Sequence, residues 1–232
     1  LGSYLDKTNR VVGVVKELGG SAVAERAALL SKCDLTTDMV KEFTDLQGVV
    51  GGLYARAQGE DEAVARAIYD HYKPLSMEGP VPSTAEGCLV ALADKVDTLR
   101  GCFAIGLIPS GSKDPFALRR AAQGVVKILV ESRLPVPLGK LAAGDKGLLE
   151  FLLDRVRYYF KDVRGYAYDE VNAALAAGYD DLPDVAERLA AIQAVRPTAD
   201  FEPLAASFKR IKNILRQAGF EGGGAVDANL LE

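Results

Sequence analysis

Apolar residues recur at the spacing of an α-helix along almost the whole chain. From Leu89 to Phe103 they fall three or four residues apart, and the same spacing returns in the segments that begin at Leu118, Leu149 and Leu204. The strict alternation of apolar and polar residues that marks a half-buried strand appears nowhere convincingly. A chain with this pattern buries helical faces against one another, so we predict an all-α fold.

Glycine and proline positions suggest two domains. Gly178 and Gly219 stand where helices should stop. The chain of 232 residues also exceeds the usual single domain of roughly 100–150 residues. Residues 132–146 carry two prolines and two glycines between short polar spacers, which is typical of a connection. We therefore predict one helical bundle over residues 1–144 and a second over residues 145–232.

Charge and composition exclude several classes of protein. With 28 Lys and Arg against 32 Asp and Glu the net charge is −4, so any nucleic-acid site must be a local patch. No stretch approaches about 18 consecutive apolar residues and no signal segment is evident, so we expect a cytoplasmic protein without membrane contact. The three cysteines form no CxxC pair, which fits a reducing compartment, and the single histidine, His71, limits metal and triad chemistry.

Four segments carry a family resemblance. They are KCDLTT at residues 32–37, EFTDLQG at 42–48, LADKVDTL at 92–99 and GSKDPFALRRAA at 111–122. Their order and spacing resemble the β-subunit family of the bacterial tetrameric glycyl-tRNA synthetases. From Phe151 onward the chain resembles the helical anticodon-binding domain shared with the arginyl-tRNA synthetases.

The resemblance implies a tRNA-binding role within a glycine–tRNA ligase. Glycine tRNA and the α subunit of an α2β2 tetramer would be the partners, with no membrane and no DNA. The α subunit would carry the ATP-dependent aminoacylation centre, so ATP and Mg²⁺ would serve the whole enzyme and this fragment would hold no cofactor. Because the chain opens with Leu1 and the anticodon-binding domain of this family runs on past Glu232, we expect a piece of a longer polypeptide.

The first domain also resembles the HD phosphohydrolase fold, whose metal site needs histidines and two aspartates. Asp34 and Asp94 match the aspartate positions, but Cys33 replaces a required histidine and only His71 remains. We therefore predict an HD-like domain without an intact metal site, and we assign no catalytic residue to the fragment. The alternatives are a metal-dependent HD phosphohydrolase acting on a nucleotide and a purely structural docking module for the α subunit.

The segment GLIPSGSKD at residues 106–114 has the glycine spacing of a phosphate-binding loop. The order Ser112-Lys113 is reversed, however, and no strand precedes the segment. We instead predict a helix–loop–helix connection in which Asp114 caps the next helix and Pro115 occupies its first turn. In that connection Lys113 remains a candidate phosphate contact.

Two helix faces are further candidate tRNA contacts. The apolar stripe that starts at Leu118 leaves Arg119, Arg120 and Lys127 on a polar face. In the second domain, the predicted inward residues are Leu204, Phe208, Ile211 and Leu215. The opposite face carries the candidates Lys209, Lys212, Asn213 and Arg216. For both faces the open alternative is a merely solvated surface, with cations near helix ends offsetting the dipole.

Buried and aromatic positions complete the sequence predictions. Asp94 lies beside small residues on a helix that is apolar nearly all round, so we predict that it hydrogen-bonds inside the bundle near Asp34. Tyr158 and Tyr166 lie beside cations and are weak candidates for stacking on unpaired bases. The residues predicted to be buried are Cys88, Cys102, Tyr159 and Phe160.

Overall fold

The computed structural model describes residues 2–111 and 113–219. The α-helices are α1 (Tyr4–Glu17), α2 (Ala22–Leu30), α3 (Asp38–Glu42), α4 (Val49–Ala57), α5 (Glu62–Asp70), α6 (Ala85–Ala104), α7 (Leu118–Glu131), α8 (Leu138–Ala142), α9 (Lys146–Tyr158), α10 (Tyr168–Ala176), α11 (Leu182–Val195) and α12 (Phe201–Gln217). Two 3₁₀ turns (Cys33–Thr36 and Thr44–Leu46) and a π-helical turn (Tyr159–Val163) complete the regular structure. Within these described ranges no strand occurs, which confirms the all-α prediction.

Short polar side chains set where several helices begin. Ser3, Ser21 and Thr84 each accept a hydrogen bond from a backbone N–H in the first turn of the helix that follows. Asp145 caps α9 in the same way, with its carboxylate 3.0 Å from Leu148 N. At the other end, Gly219 follows α12 with a φ of 64°, a conformation that glycine adopts without steric cost.

Helix α6 forms the centre of the bundle. Its residues are buried on nearly every side, with α1, α2, α5 and α7 packed around it. Cys88 and Cys102 are buried within it, as predicted. Helices α4 and α5 also pack closely, because Gly52 lies so near Ala65 O that an added Cβ would be only 2.7 Å away.

The chain divides into two compact units. The first runs to Leu189 and includes α7, α9 and the π-helical turn, where Tyr159 and Phe160 are buried as predicted. The second unit begins at Ala190 and is described as far as Gly219. Asp145, where the sequence suggests a domain boundary, lies inside the first unit. The division into domains at residues 144 and 145 stays a prediction.

The apolar stripe of α12 does not face inward as the periodicity suggests. Leu204, Phe208, Ile211 and Leu215 are all exposed, with Phe208 at 64%. The described part of the second unit contains only α12 and the last turns of α11 as helices. These residues therefore supply no bundle within that unit for the stripe to pack against.

Candidate functional site

The loop between α6 and α7 contains a tight turn whose ends, Ser110 and Lys113, are hydrogen-bonded to each other. Ser110 and Lys113 exchange backbone hydrogen bonds of 3.2 and 2.9 Å. The guanidinium of Arg119 donates to Gly111 O at 2.7 Å, which ties α7 to the turn. These bonds hold the backbone of Ser110, Gly111 and Lys113 against one another and against the start of α7.

Helix α7 starts later than predicted. It begins at Leu118 rather than Pro115, because Ala117 has a left-handed φ of 53° that interrupts the helical backbone. Asp114 still satisfies the helix start, accepting from Leu118 N at 2.8 Å and from Arg119 N at 2.9 Å. Since this carboxylate already occupies the helix N-terminus, the backbone N–H groups there are engaged, unlike those of a phosphate-binding loop.

The side chains predicted to contact tRNA in this region differ in whether they already have partners within the protein. Lys113 and Arg120 are exposed, and neither side chain has a hydrogen-bond or ion-pair partner among the described residues. Arg119 is half-buried, and its guanidinium is used by the loop carbonyls of Gly111 and Lys113. Lys113 and Arg120 therefore remain available for a partner, whereas Arg119 supports the loop.

Lys127 does not lie on an exposed face, so that prediction is wrong. Its side chain is buried and its ammonium lies 2.7 Å from Glu131 Oε1, one turn further along α7. The reason is that every residue from Gly124 to Val130 is buried, with α6 and α9 both packed against α7. The amphipathic pattern indicates one buried face, whereas the second half of this helix is enclosed on several sides.

Unpaired cations are rare in the first unit. Within its described part, the Lys and Arg side chains contact a carboxylate, a carbonyl, a hydroxyl or an aromatic ring, with three exceptions: Lys113, Arg120 and Lys146. Lys146 is exposed in the first turn of α9 and was not indicated by any motif. Two of the three exceptions thus belong to the α6–α7 loop and the start of α7.

The basic face of α12 is exposed in full. Lys209 and Lys212 have no partner among the described residues, and Arg216 donates only to Asn213 Oδ1, at 3.3 Å. The helix carries four cationic side chains and one carboxylate, Glu202. This charge excess stands out in a chain whose net charge is −4.

The two tyrosines proposed for base stacking differ. Tyr158 is exposed at the end of α9. Tyr166 is half-buried, and its ring packs edge-on against Phe160 with 6.1 Å between the centroids. Only Tyr158 therefore offers an open ring surface.

A second candidate site is a buried network of charged side chains inside the bundle, centred on Asp94 and Lys32. Asp94 Oδ2 accepts from Lys32 Nζ at 2.9 Å, and Lys7 Nζ lies 3.0 Å from Asp94 Oδ1. Lys7 also binds Asp97 at 3.0 Å, while Lys32 is shared with His71 Nε2 at 2.9 Å. The prediction that Asp94 hydrogen-bonds inside the bundle is confirmed, with Lys32, two residues from Asp34, as its partner.

The protonation states within this network follow from burial and charge. Burial, and after it the neighbouring Lys32 ammonium, lower the pKa of His71 to about 3, so the imidazole is neutral at physiological pH. Its Nδ1 lies 2.6 Å from Ile68 O, and as the N–H donor it leaves the Nε2 lone pair facing Lys32. Burial alone would raise the pKa of Asp94, but Lys32 and Lys7 outweigh it and hold that pKa far below its usual value.

Asp34 has a structural role at the start of α4. Its Oδ2 accepts from Gly48 N at 2.6 Å and from Gly51 N at 3.2 Å. Cys33 beside it is exposed. Both candidate aspartates, Asp34 and Asp94, are thus engaged by the protein's own N–H groups and ammonium groups, and the phosphohydrolase alternative gains no support.

The sequence comparisons establish the family. A family model described as glycyl-tRNA synthetase beta subunit matches residues 1–176. This chain belongs to the glycyl-tRNA synthetase β-subunit family. It is 51% identical to the glycine–tRNA ligase beta subunit of Acidobacterium capsulatum, over 98% of this chain and 36% of that protein. It is 41% identical to the one of Desulforapulum autotrophicum, over 99% and 37%, and 43% identical to that of Actinobacillus pleuropneumoniae serotype 3, over 100% and 36%.

The family model and the individual relatives cover different parts of the chain, and the candidate residues lie in both. The chain spans a little over a third of the length of the curated relatives it matches. The family model covers the α6–α7 loop and the buried ion network, while α12 lies beyond it and is covered by the individual relatives. In the described ranges, no helix is both long and apolar enough to span a membrane.

Proposed function

We propose that this chain is a tRNA-binding part of a glycine–tRNA ligase β subunit, and that the α6–α7 loop and the first turn of α7 contact phosphates of glycine tRNA. The observation that carries the proposal is the pair of unpartnered cations, Lys113 and Arg120, in a unit whose other cations are almost all engaged. The names of the relatives supply the substrate class.

Phosphate binding is the chemistry that suits such side chains. Arginine presents a planar fork to phosphate oxygens, and lysine a mobile point charge. Each neutralised phosphate releases counterions, which provides a favourable free energy that falls with added salt. Because Arg119 and Asp114 already fix the loop backbone, less conformational entropy would be lost when the loop meets RNA.

The basic face of α12 is proposed as a second contact with the same tRNA. Lys209, Lys212, Asn213 and Arg216 follow one exposed helix face, and the segment resembles an anticodon-binding domain. Lys127 is omitted from the proposal because its charge is buried and paired.

The ligase chemistry itself is proposed to belong to the α subunit. The ATP and Mg²⁺ of the reaction would then be used by the α subunit, and we assign no step of glycine activation to this chain. Its proposed place is in the cytoplasm, in a complex with the α subunit and tRNA.

Salt-dependent tRNA binding tests the proposal. The experiment uses the complete α and β subunits and compares the wild type with the double variant Lys113→Gln, Arg120→Gln. If both side chains meet phosphates, the slope of log affinity against log salt should become shallower by about 1.4–1.8. The matched control is Lys16→Gln, Lys41→Gln, which removes two exposed but ion-paired cations and should leave the slope unchanged.

Two outcomes would contradict the proposal. Equal slopes in the double variant and the wild type would show that neither side chain contacts a phosphate. Unchanged tRNA affinity together with weakened association of the α subunit would instead assign the loop to subunit docking.

A further inference from the structure

The ammonium of Lys32 occupies the centre of a small, closed site. Its Nζ lies 2.9 Å from His71 Nε2 and 2.9 Å from Asp94 Oδ2. The ring of Tyr72 closes a further side, with its centroid 3.9 Å from the same nitrogen. Lys32 is 4% exposed and His71 is fully buried, so water has little access to these two side chains.

The two atoms that face Lys32 are ordinary metal ligands. A neutral imidazole nitrogen with a free lone pair and a carboxylate oxygen both bind divalent transition metals. Here Ile68 O accepts from His71 Nδ1, which fixes the ring and directs Nε2 at Lys32. A carbonyl partner of this kind orients metal-bound histidines in general.

We propose that the Lys32 ammonium is the built-in cation of a His71–Asp94 cation site, and that this site takes a divalent transition-metal ion when the ammonium is removed. The side chain supplies the positive charge that the buried carboxylate requires, and no exchangeable ion is needed. This reading explains why a lysine is buried at the point where four elements meet: the end of α2, the end of α5, α6 and, through Lys7, α1.

The loss of favourable interactions expected without the Lys32 ammonium supports the proposal. Without Lys32, Asp94 would keep only Lys7, which is shared with Asp97, and the His71 lone pair would lose its one donor. An unpaired buried acceptor is expensive because it loses its bonds to water and gains none in return. The Lys32 ammonium therefore stabilises the folded chain in two ways, as the hydrogen-bond donor to the imidazole and as a positive charge beside the carboxylate.

Two substitutions of Lys32 test the cation requirement and the metal site separately. Lys32→Met keeps most of the volume but no charge, and its melting temperature should fall by about 6–20 °C. Lys32→Ala leaves space, and millimolar Zn²⁺ should raise its melting temperature by about 3–5 °C. The wild type should show no such gain.

Lys95→Ala is the matched control. Lys95 is another lysine of the same region, but its ammonium binds the backbone carbonyls of Tyr72 and Lys73 at 3.3 and 2.9 Å. Because the Lys95 ammonium bonds to these carbonyls and not to His71 or Asp94, its removal takes away no partner of either side chain, and Zn²⁺ should have no effect. The double variant Lys32→Ala, Asp94→Asn should also lose the response to Zn²⁺.

The single histidine of the chain gives a direct spectroscopic signature. In ¹⁵N-labelled protein every imidazole signal belongs to His71, so no assignment is needed. Zn²⁺ should shift the Nε2 resonance of Lys32→Ala and leave the wild-type resonance in place. If Lys32→Ala does not fold alone, refolding in Zn²⁺ should recover the native circular dichroism and the shifted resonance.

Specific results would overturn the proposal. The first is a Lys32→Met variant as stable as the wild type. The second is an Nε2 resonance of folded Lys32→Ala that does not shift when Zn²⁺ is added. The third is a change in the melting temperature of Lys32→Ala with Zn²⁺ that is no larger than the change for Lys95→Ala. Failure of Lys32→Ala to refold in Zn²⁺ would do the same.

Discussion

Replacement of Asp94 by asparagine probes the buried ion network most directly. The change is nearly isosteric, so packing is kept while the charge that faces Lys32 and Lys7 disappears. A lost hydrogen bond alone would cost about 1–3 kcal/mol. Here the change leaves a fully enclosed ammonium without its carboxylate, for which breaking a buried pair costs about 3–5 kcal/mol.

The expected loss in the free energy of unfolding for Asp94→Asn is therefore about 3–5 kcal/mol, which corresponds to about 6–20 °C in melting temperature. Urea denaturation followed by far-ultraviolet circular dichroism measures it. Asp154→Asn serves as the control, because it breaks an exposed pair with Arg157 and should cost about 0–1 kcal/mol. A loss for Asp94→Asn as small as that of the control would refute the reasoning.

The pH dependence of the same comparison follows from the sign of the pKa shift. The folded-state pKa of Asp94 lies below its unfolded value, so the folded protein holds this carboxyl deprotonated under conditions where the unfolded chain binds a proton. The resulting stabilisation is complete above the unfolded pKa, about 3.9, and is lost as the pH falls toward the folded value. The difference in stability between the wild type and Asp94→Asn should therefore shrink as the pH is lowered below about 5.

Three further predictions concern α7 and the loop before it. Asp114→Ala removes the carboxylate that accepts two first-turn N–H groups, so the free energy of unfolding should fall by about 0.5–2 kcal/mol in a urea titration. Arg119→Lys keeps the charge but not the fork on the loop carbonyls, and amide hydrogen exchange at residues 106–117 should accelerate; unchanged exchange would show that this bond does not fix the loop. Lys127→Met should leave the salt slope of tRNA binding unchanged, since this charge is buried against Glu131, and a shallower slope would return Lys127 to the RNA surface.

Much of the fold follows from the sequence because local rules decide it. Helical periodicity predicts the all-α class, and it identifies α6 as a helix surrounded by others. The start of α7 is missed because the signal Asp114-Pro115 is read as contiguous with the helix, whereas the left-handed Ala117 displaces the first turn by three residues. Asp114 retains its capping role across that displacement, so the chemistry is predicted correctly and the position is not.

The candidate surface is less accessible to sequence reasoning, since a pattern of charges does not show which charges are already paired. Arg119 and Arg120 are adjacent in sequence, yet one holds the loop carbonyls and the other has no partner in the described ranges. Lys127 belongs to the same polar face by its angle on the helix, but the packing of α9 against α7 encloses it. Such differences arise from tertiary contacts between segments distant in sequence.

Lys32 is the strongest example of what only the folded chain reveals. In the sequence, Lys32 stands beside Cys33 and Asp34, which occupy positions of possible metal ligands, and no motif gives the lysine a role of its own. Only the approach of α5 and α6 brings His71 and Asp94 to the same ammonium, across 39 and 62 residues of sequence. The network then explains how residues typical of a hydrolytic metal site serve a chain in a tRNA-ligase family. The Lys32 ammonium joins a carboxylate of α6 to an imidazole at the end of α5, so these side chains connect elements of the bundle. The RNA contact that we propose rests on other side chains, the exposed and unpartnered Lys113 and Arg120.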